Sequence, residues 1–428
     1  MKFHKTIALF WFRRDLRLID NKGLNVALQN HENVLPIFIF DSNILEELDD
    51  NDPRVSFIHH CLGSINETLK KFNSSIKVVY GNPYEVFEDL INEYSITDVY
   101  LNKDYEPYAR MRDKRIFELL TSNEIKLHGF KDQVIFEKLE VTKIDGNPYT
   151  VFTPYKKKWI DQFSPVHAQT SPLINTGSFL ECSFNLIALE EMGFNNSSIQ
   201  VPQYNLSVVD EYADQRDFPS KDGTSYLGTH LRFGTVSIRE VVSKLDSDST
   251  FMSELIWREF FKQILYNFPY VVQSNFKNKY DGIDWRNNPD EFKAWCEGKT
   301  GYPIVDAGMK ELNETGLMHN RVRMITAGFL CKHLLIDWRW GEAYFASKLL
   351  DYDLSANNGN WQWAAGTGCD AAPYFRIFNP TAQQKRFDKD FKYIKRWNRN
   401  WSENDTTIVD HKFARKRALE TYAQGILK

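Results

Sequence analysis

Three stretches of the chain set charged or amide side chains among large apolar ones, an arrangement that costs free energy unless those groups pair or bind something. The first is Glu254 followed by Trp257-Arg258-Glu259-Phe260-Phe261. The second is Met318-His319-Asn320-Arg321-Val322-Arg323-Met324. The third runs from Asp351-Tyr352-Asp353 through Asn357 to Trp361-Gln362-Trp363, and continues into Asp370-Ala371-Ala372-Pro373-Tyr374-Phe375-Arg376. A guanidinium such as that of Arg323 can clamp a carboxylate such as that of Asp351 through two parallel hydrogen bonds. Structural ion pairs do the same, so the pairing alone does not define a site. Nine of the eleven tryptophans (Trp257, Trp285, Trp295, Trp338, Trp340, Trp361, Trp363, Trp397, Trp401) lie in the same half of the chain. Buried tryptophan is usually core, yet many aromatics beside arginines also make stacking platforms and flat-ring cofactor sites.

Other chemistries find no support. Gly298-Lys299-Thr300 resembles the end of a phosphate-binding loop, but position 293, where the first glycine would fall, is lysine. His59-His60-Cys61 sits in a helical pattern, where adjacent positions face different ways and cannot share a metal. Neither G-x-S-x-G nor H-E-x-x-H occurs, so hydrolytic chemistry has no motif to carry it.

The elements that must hold these residues divide the chain. Thr6–Phe12, Val34–Phe40, Ile76–Tyr80 and Asp98–Leu101 read as buried strands, and Arg54–Phe72, Pro83–Tyr94 and Ala109–Ser122 as helices between them. That alternation predicts an α/β domain over residues 1–130, a parallel, Rossmann-like sheet covered by helices on both faces, although no G-x-G-x-x-G follows any strand. Residues 131–205, punctuated by Pro148, Pro154, Pro165, Pro172 and Pro202, read as a connector running over a surface. Residues 206–428 read as all-helical. Arg239–Leu245, Glu254–Asn267, Val305–Asn313, Arg321–Leu335 and Glu342–Leu350 all carry apolar residues at helical spacing.

Charge is uneven. Residues 1–205 hold 22 Lys+Arg against 28 Asp+Glu, while the last 58 residues hold 13 against 6. Local positive potential of this kind suits a nucleic acid, or simply a solvated helix face. Five scattered cysteines, the short apolar run at Thr6–Phe12 and the lack of any stretch of transmembrane length predict a cytoplasmic protein without disulfides, leader or membrane anchor.

At this point a family resemblance emerges. Trp11-Phe12-Arg13-Arg14-Asp15-Leu16-Arg17-Leu18-Ile19-Asp20-Asn21 and the segment from Glu297 to Pro380 resemble class I DNA photolyases of the cryptochrome/photolyase family, and the likeness covers nearly the whole chain. It implies an FAD-binding helical domain, light-driven repair of cyclobutane pyrimidine dimers, and damaged DNA as partner of a monomer. Residues matching the family's flavin contacts are Tyr212, Thr224-Ser225-Tyr226-Leu227-Gly228, Glu254, Arg258, Asn320, Arg323, Asp351, Asp353 and Asn357. In the family the residue at Asn357 faces the flavin N5, where plant cryptochromes carry aspartate. An amide cannot give up a proton as a carboxylic acid can, so Asn357 favours the fully reduced flavin. Trp257 and Trp363 match the pair that embraces the flipped-out dimer, and Arg216, Arg321 and Arg376 match backbone-binding arginines. Glu254, Asn320, Met324 and Gln383 match pocket contacts, while Trp361, Trp338 and Trp285 match a relay that passes electrons from the surface to the flavin, with Trp285 expected outermost. Extruding a dimer costs less than extruding a normal base, photolyases being among the standing examples.

Two positions depart from the family. Leu317 stands where tryptophan is usual. Tyr108-Ala109 replaces the Asn-Glu pair of folate-binding members, so the sheet domain can hold a second, antenna chromophore but folate is poorly supported. The resemblance leaves a cryptochrome-type blue-light photoreceptor as the alternative, opposed by Asn357. A (6-4) photolyase is opposed by Met318, which stands where a second histidine would precede His319.

Overall fold

Thr6–Phe12 (β1) and Val34–Asp41 (β2) are nearly unbroken runs of apolar residues, as strands covered on both faces must be. In the computed structural model, which describes residues 5–402 and 406–427, they join Lys77–Gly81 (β3), Ser95–Asn102 (β4) and Lys126–Phe130 (β5). The five strands form one parallel sheet in the order β3-β2-β1-β4-β5. Helices α1 (Lys22–Asn30), α2 (Pro53–Lys70), α3 (Pro83–Glu93) and α4 (Pro107–Ser122) connect them. Alternation along β1 sends Ala8, Phe10 and Phe12 into the core under α1 and α2, and Ile7, Leu9 and Trp11 into the core under α3 and α4. The chain winds outward in opposite directions from β1, which places a topological switch point between β1 and β4.

Two compact units emerge, and they interleave along the sequence. The sheet unit comprises Met1–Glu140, Asp161–Pro202 and Gly228–Ser247; the helical unit comprises Val141–Ile160, Gln203–Leu227 and Asp248–Lys428. These differ from the contiguous spans 1–130, 131–205 and 206–428 expected from sequence. Within 131–205, Phe152, Tyr155 and Trp159 recur at helical spacing and are buried on a helix over Phe152–Gln162, while Phe179 and Leu180 join the two cores of the sheet. Prolines punctuate that segment without keeping it on the surface.

Two further helices are α5 (Leu227–Phe233), all but its first residue in the sheet unit's last segment, and α6 (Ile238–Val242). A buried charge network fastens α6. Asp132 accepts from Arg17 at 2.6 Å and from Arg239 at 2.8 Å, and Arg239 Nε donates to Asp20 at 2.9 Å. Burial alone would push the Asp132 carboxyl up, but Arg17 and Arg239 hold it below its ordinary value.

In the helical unit α7 (Thr250–Asn267), α8 (Pro303–Thr315), α9 (Asn320–Gly328), α10 (Trp338–Lys348), α11 (Leu354–Ala365) and α12 (His411–Leu427) carry most of the core. Glycine sets two close approaches. A Cβ on Gly359 would lie 2.1 Å from the Phe261 ring, so α11 meets α7 there. One on Gly341 would lie 2.1 Å from Trp361, which brings α10 against α11. Among the described residues no helix is long and apolar enough to cross a membrane, no cluster fits a metal, and all five cysteines are free thiols.

Candidate functional site

Ser249 caps α7 by accepting from Met252 N, and the helix then presents Glu254, Trp257, Arg258 and Phe261 on one face. Glu254 pairs with Arg216 at 2.7 Å, and the Arg216 guanidinium lies 5.2 Å from the centre of the Tyr212 ring. The half-buried Trp257 indole stacks on Phe152 at 3.6 Å and 8°, which covers one of its faces. Upstream, buried Ser225 accepts from Leu227 N at 3.4 Å, and Tyr226 takes a left-handed conformation at φ 54°, bonded to Asp222. Thr224 and Gly228 are exposed on either side.

α9 opens on an unusual cap. His319 Nδ1 accepts from Arg321 N at 3.2 Å, which requires an unprotonated ring nitrogen. Burial, with Arg323 and Arg321 nearby, pushes this imidazole down to about 4 and keeps that nitrogen free. Arg323 makes the fork anticipated from its sequence, donating to Asp351 at 3.1 and 2.9 Å and to the Met318 carbonyl at 2.7 Å. Arg321 pairs with Asp217 and lies 4.6 Å over the Phe387 ring, while Asn320 is exposed at the helix start.

Asp353 caps α11 through Ala356 N at 3.3 Å and pairs with buried Lys262 at 2.9 Å. One turn later the Asn357 amide donates to the Glu342 carbonyl at 3.1 Å and to its Oε1 at 2.8 Å. Burial raises the Glu342 carboxyl above its ordinary range. Two acceptors on one side fix the amide's orientation and leave Asn357 Oδ1 turned away from them. Trp361 follows at i+4 on that face. Trp363 faces elsewhere and lines a pocket with Met324, Gly328, Lys332, Arg376 and Phe378. Arg376 is exposed at its side, and Gln383 is half-buried on the helix Pro380–Phe387.

Trp338 and Trp361 are buried in one apolar cluster, with half-buried Trp285 packed against it as the most exposed of the three. The Trp285 loop is tied to the segment before α10 by Arg286 N donating to the Leu335 carbonyl at 2.7 Å. Trp295, not singled out by any motif, has its ring centre 6.1 Å from that of Trp361 and donates to the Thr326 carbonyl at 3.1 Å. No spacing signal distinguishes it from a core residue. The candidates therefore gather as linked groups on α7, α9 and α11. Among the described residues the side chains of Thr224 and Gln383 bond to none of the others.

Comparison with known proteins accounts for this arrangement. A solved class III photolyase from Agrobacterium tumefaciens superposes with a TM-score of 0.87 at 31% identity, over 100% of this chain and 99% of its own. An archaeal photolyase from Sulfolobus tokodaii, solved with two FAD molecules, does so at 0.84 and 33%, over 98% and 100%. A curated deoxyribodipyrimidine photo-lyase from Halobacterium salinarum is 38% identical over 91% of this chain and 88% of its own length. The family profile described as DNA photolyase matches residues 8–173, and that described as the FAD binding domain of DNA photolyase matches residues 251–424. The chain belongs to the DNA photolyase family. It is an enzyme whose helical unit binds FAD and whose family acts on DNA.

Proposed function

We propose that this enzyme repairs cyclobutane pyrimidine dimers in DNA under blue or near-ultraviolet light, as a cytoplasmic monomer. The observation that carries the reading is the fixed orientation of Asn357. Its amino group is held by Glu342, so its carbonyl oxygen is the atom offered to a ligand, and an acceptor there suits a flavin that carries hydrogen at N5. The donor set fits FAD in other respects. Ser225 and Asp353 are buried polar groups, and Arg323 is held rigid by its two bonds to Asp351.

Reduced FAD, when bound, supplies a light-excited electron donor to the dimer. The chain's own residues do the rest. Trp363 and Met324 line a pocket together with Lys332 and Arg376, and Trp257, steadied by Phe152, offers a flat ring for stacking. Arg216, Arg321 and Arg376 grip the sugar–phosphate backbone and position the lesion without reading sequence. Glu254 orients Arg216 and contacts the flipped bases, while Trp361, Trp338 and Trp285 relay electrons inward from the surface. The Sulfolobus relative's second FAD supports an antenna chromophore in the sheet unit. The class I assignment rests on the motif resemblance.

The deciding experiment is repair of an oligonucleotide with one thymine dimer, light against dark, with flavin verified as reduced. Complete restoration in light alone is expected. Intact dimers after saturating illumination would overturn the reading.

A further inference from the structure

The helix expected to run unbroken from Arg321 to Leu335 ends at Gly328, and Phe329–Leu334 winds as a π-helix. Such wide turns are rare and gather at functional sites. This one turns Lys332 into the protein, where it is 2% exposed and forms part of the lining of the pocket shared by Trp363, Met324 and Arg376. Its Nζ donates to the Ala365 carbonyl at 2.6 Å, at the end of α11, and lies 3.7 Å from the centre of the Tyr422 ring. The Tyr422 hydroxyl donates to the same carbonyl at 2.8 Å. Among the described residues no carboxylate pairs with Lys332, whereas the other buried lysine of this unit, Lys262, sits on Asp353. A buried ammonium needs a compensating anion or gives up its proton. Burial accordingly lowers Lys332 to about 7.

The groups that face it do not supply the missing charge. Its own turn brings Cys331, whose thiol burial pushes up, and His333, held by His411 at 2.9 Å. α12 brings Tyr422 and, on the far side, Arg417 bonded to the His333 carbonyl. Tyr280 and Asp337 lie behind Tyr422, and Asp337 is bonded to Arg339. The Arg286–Glu291 pair closes on itself. The loop after α11 brings Tyr374, stacked on Tyr422, and Arg376, a second cation. Besides the Ala365 carbonyl, α9 and α11 bring Met324, Gly328, Trp363 and Ala364 to the pocket, none of them charged.

We propose that the missing anion is the DNA backbone itself: a phosphodiester held at the pocket by Arg376 draws Lys332 into its ammonium form, so that binding of damaged DNA takes up one proton from solvent at Lys332. The inference rests on the pocket's being the DNA site proposed above. Neutral amine plus proton plus DNA gives ammonium and bound DNA, and no other bond changes. Lys332 is thus a positioning residue, acting through the Ala365 carbonyl and the pocket's potential.

Calorimetric titration of the FAD-loaded protein tests it, in the dark and with flavin oxidised so that no repair intervenes. The probe is a short single-stranded oligonucleotide with one thymine dimer, titrated at pH 8.5 in two buffers of different ionisation enthalpy. An uptake above about half a proton is expected, with affinity falling by up to about tenfold per pH unit above pH 7. Lys332→Met should abolish the uptake, bind more weakly than the parent at pH 6 and lose most of that gap by about pH 10. A residue that merely capped α11 would lower affinity equally at both. Binding without proton uptake by the parent overturns the inference and needs no variant to do so. Equal uptake in Lys332→Met also overturns it. Failure to bind dimer DNA at any pH would overturn the proposed function as well.

Discussion

Buried cations are treated differently in the two units. In the sheet unit the guanidiniums of Arg17 and Arg239 converge on Asp132, and Arg239 also reaches Asp20. Beneath the Trp363 pocket, Lys332 has a carbonyl oxygen and an aromatic face instead. The first arrangement is electrically closed and needs nothing from outside. The second is left open toward a pocket whose other lining cation, Arg376, is exposed. Closed networks hold a fold together, and open ones wait for a ligand.

The comparison breaks most readily at Asp132. Asp132→Asn would leave two buried guanidiniums without their shared carboxylate and should cost about 3–5 kcal/mol of unfolding free energy, measured by denaturant titration. The carboxyl's folded value lies below its unfolded one, so its contribution is complete above about pH 4 and is lost as pH falls through the folded value. The parent should therefore lose stability in acid faster than the variant. A loss under about 1 kcal/mol would mean that the network is not closed in solution.

Next come Arg321→Ala and Arg376→Ala, which should each weaken damaged-DNA affinity by about 1.5–3 kcal/mol. Each should also reduce the salt slope of binding by about 0.9, one phosphate's worth of released counterions. FAD content should hold. Parent-like binding at moderate salt would move the DNA surface away from this pocket.

The smallest effect on stability, under about 1.5 kcal/mol, is expected for Trp285→Phe, a half-buried swap of similar shape. Its signature is photochemical. Reduction of the bound oxidised flavin by an external thiol under illumination should stop, while repair after chemical reduction continues. Unchanged photoreduction would make Trp285 one more structural aromatic.

Four of the five strands were legible because β1, β2, β3 and β4 are rich in aliphatic and aromatic residues. β5 was not, since Lys126–Phe130 sets Lys126, His128 and Gly129 around only two apolar residues, as an edge strand can. α1 escaped for its glycine and asparagines. α11 escaped because it is packed on several sides: Asn357, Asn358, Trp361 and Gln362 are all buried, so no apolar stripe marks it. The Arg323–Asp351 fork followed from residue chemistry, but the Asn357–Glu342 and Lys332–Ala365 bonds depend on packing that no periodicity encodes. Helical spacing across 321–335 concealed the π-turn altogether, because one extra residue per turn leaves the apolar count almost unchanged.

The order of synthesis gives the Arg239 network a further meaning. Asp20 and Asp132 leave the ribosome long before Arg239. At about 5–20 residues per second the nascent chain waits on the order of 5–20 s between the second carboxylate and its guanidinium. Meanwhile the sheet has its strands but not its last clasp, and much of 141–227, including two segments of the other unit, has already emerged. The sheet unit is therefore expected to resist proteases on stalled ribosomes only once residue 247 has cleared the exit tunnel, making this half of the enzyme a late folder despite its early strands.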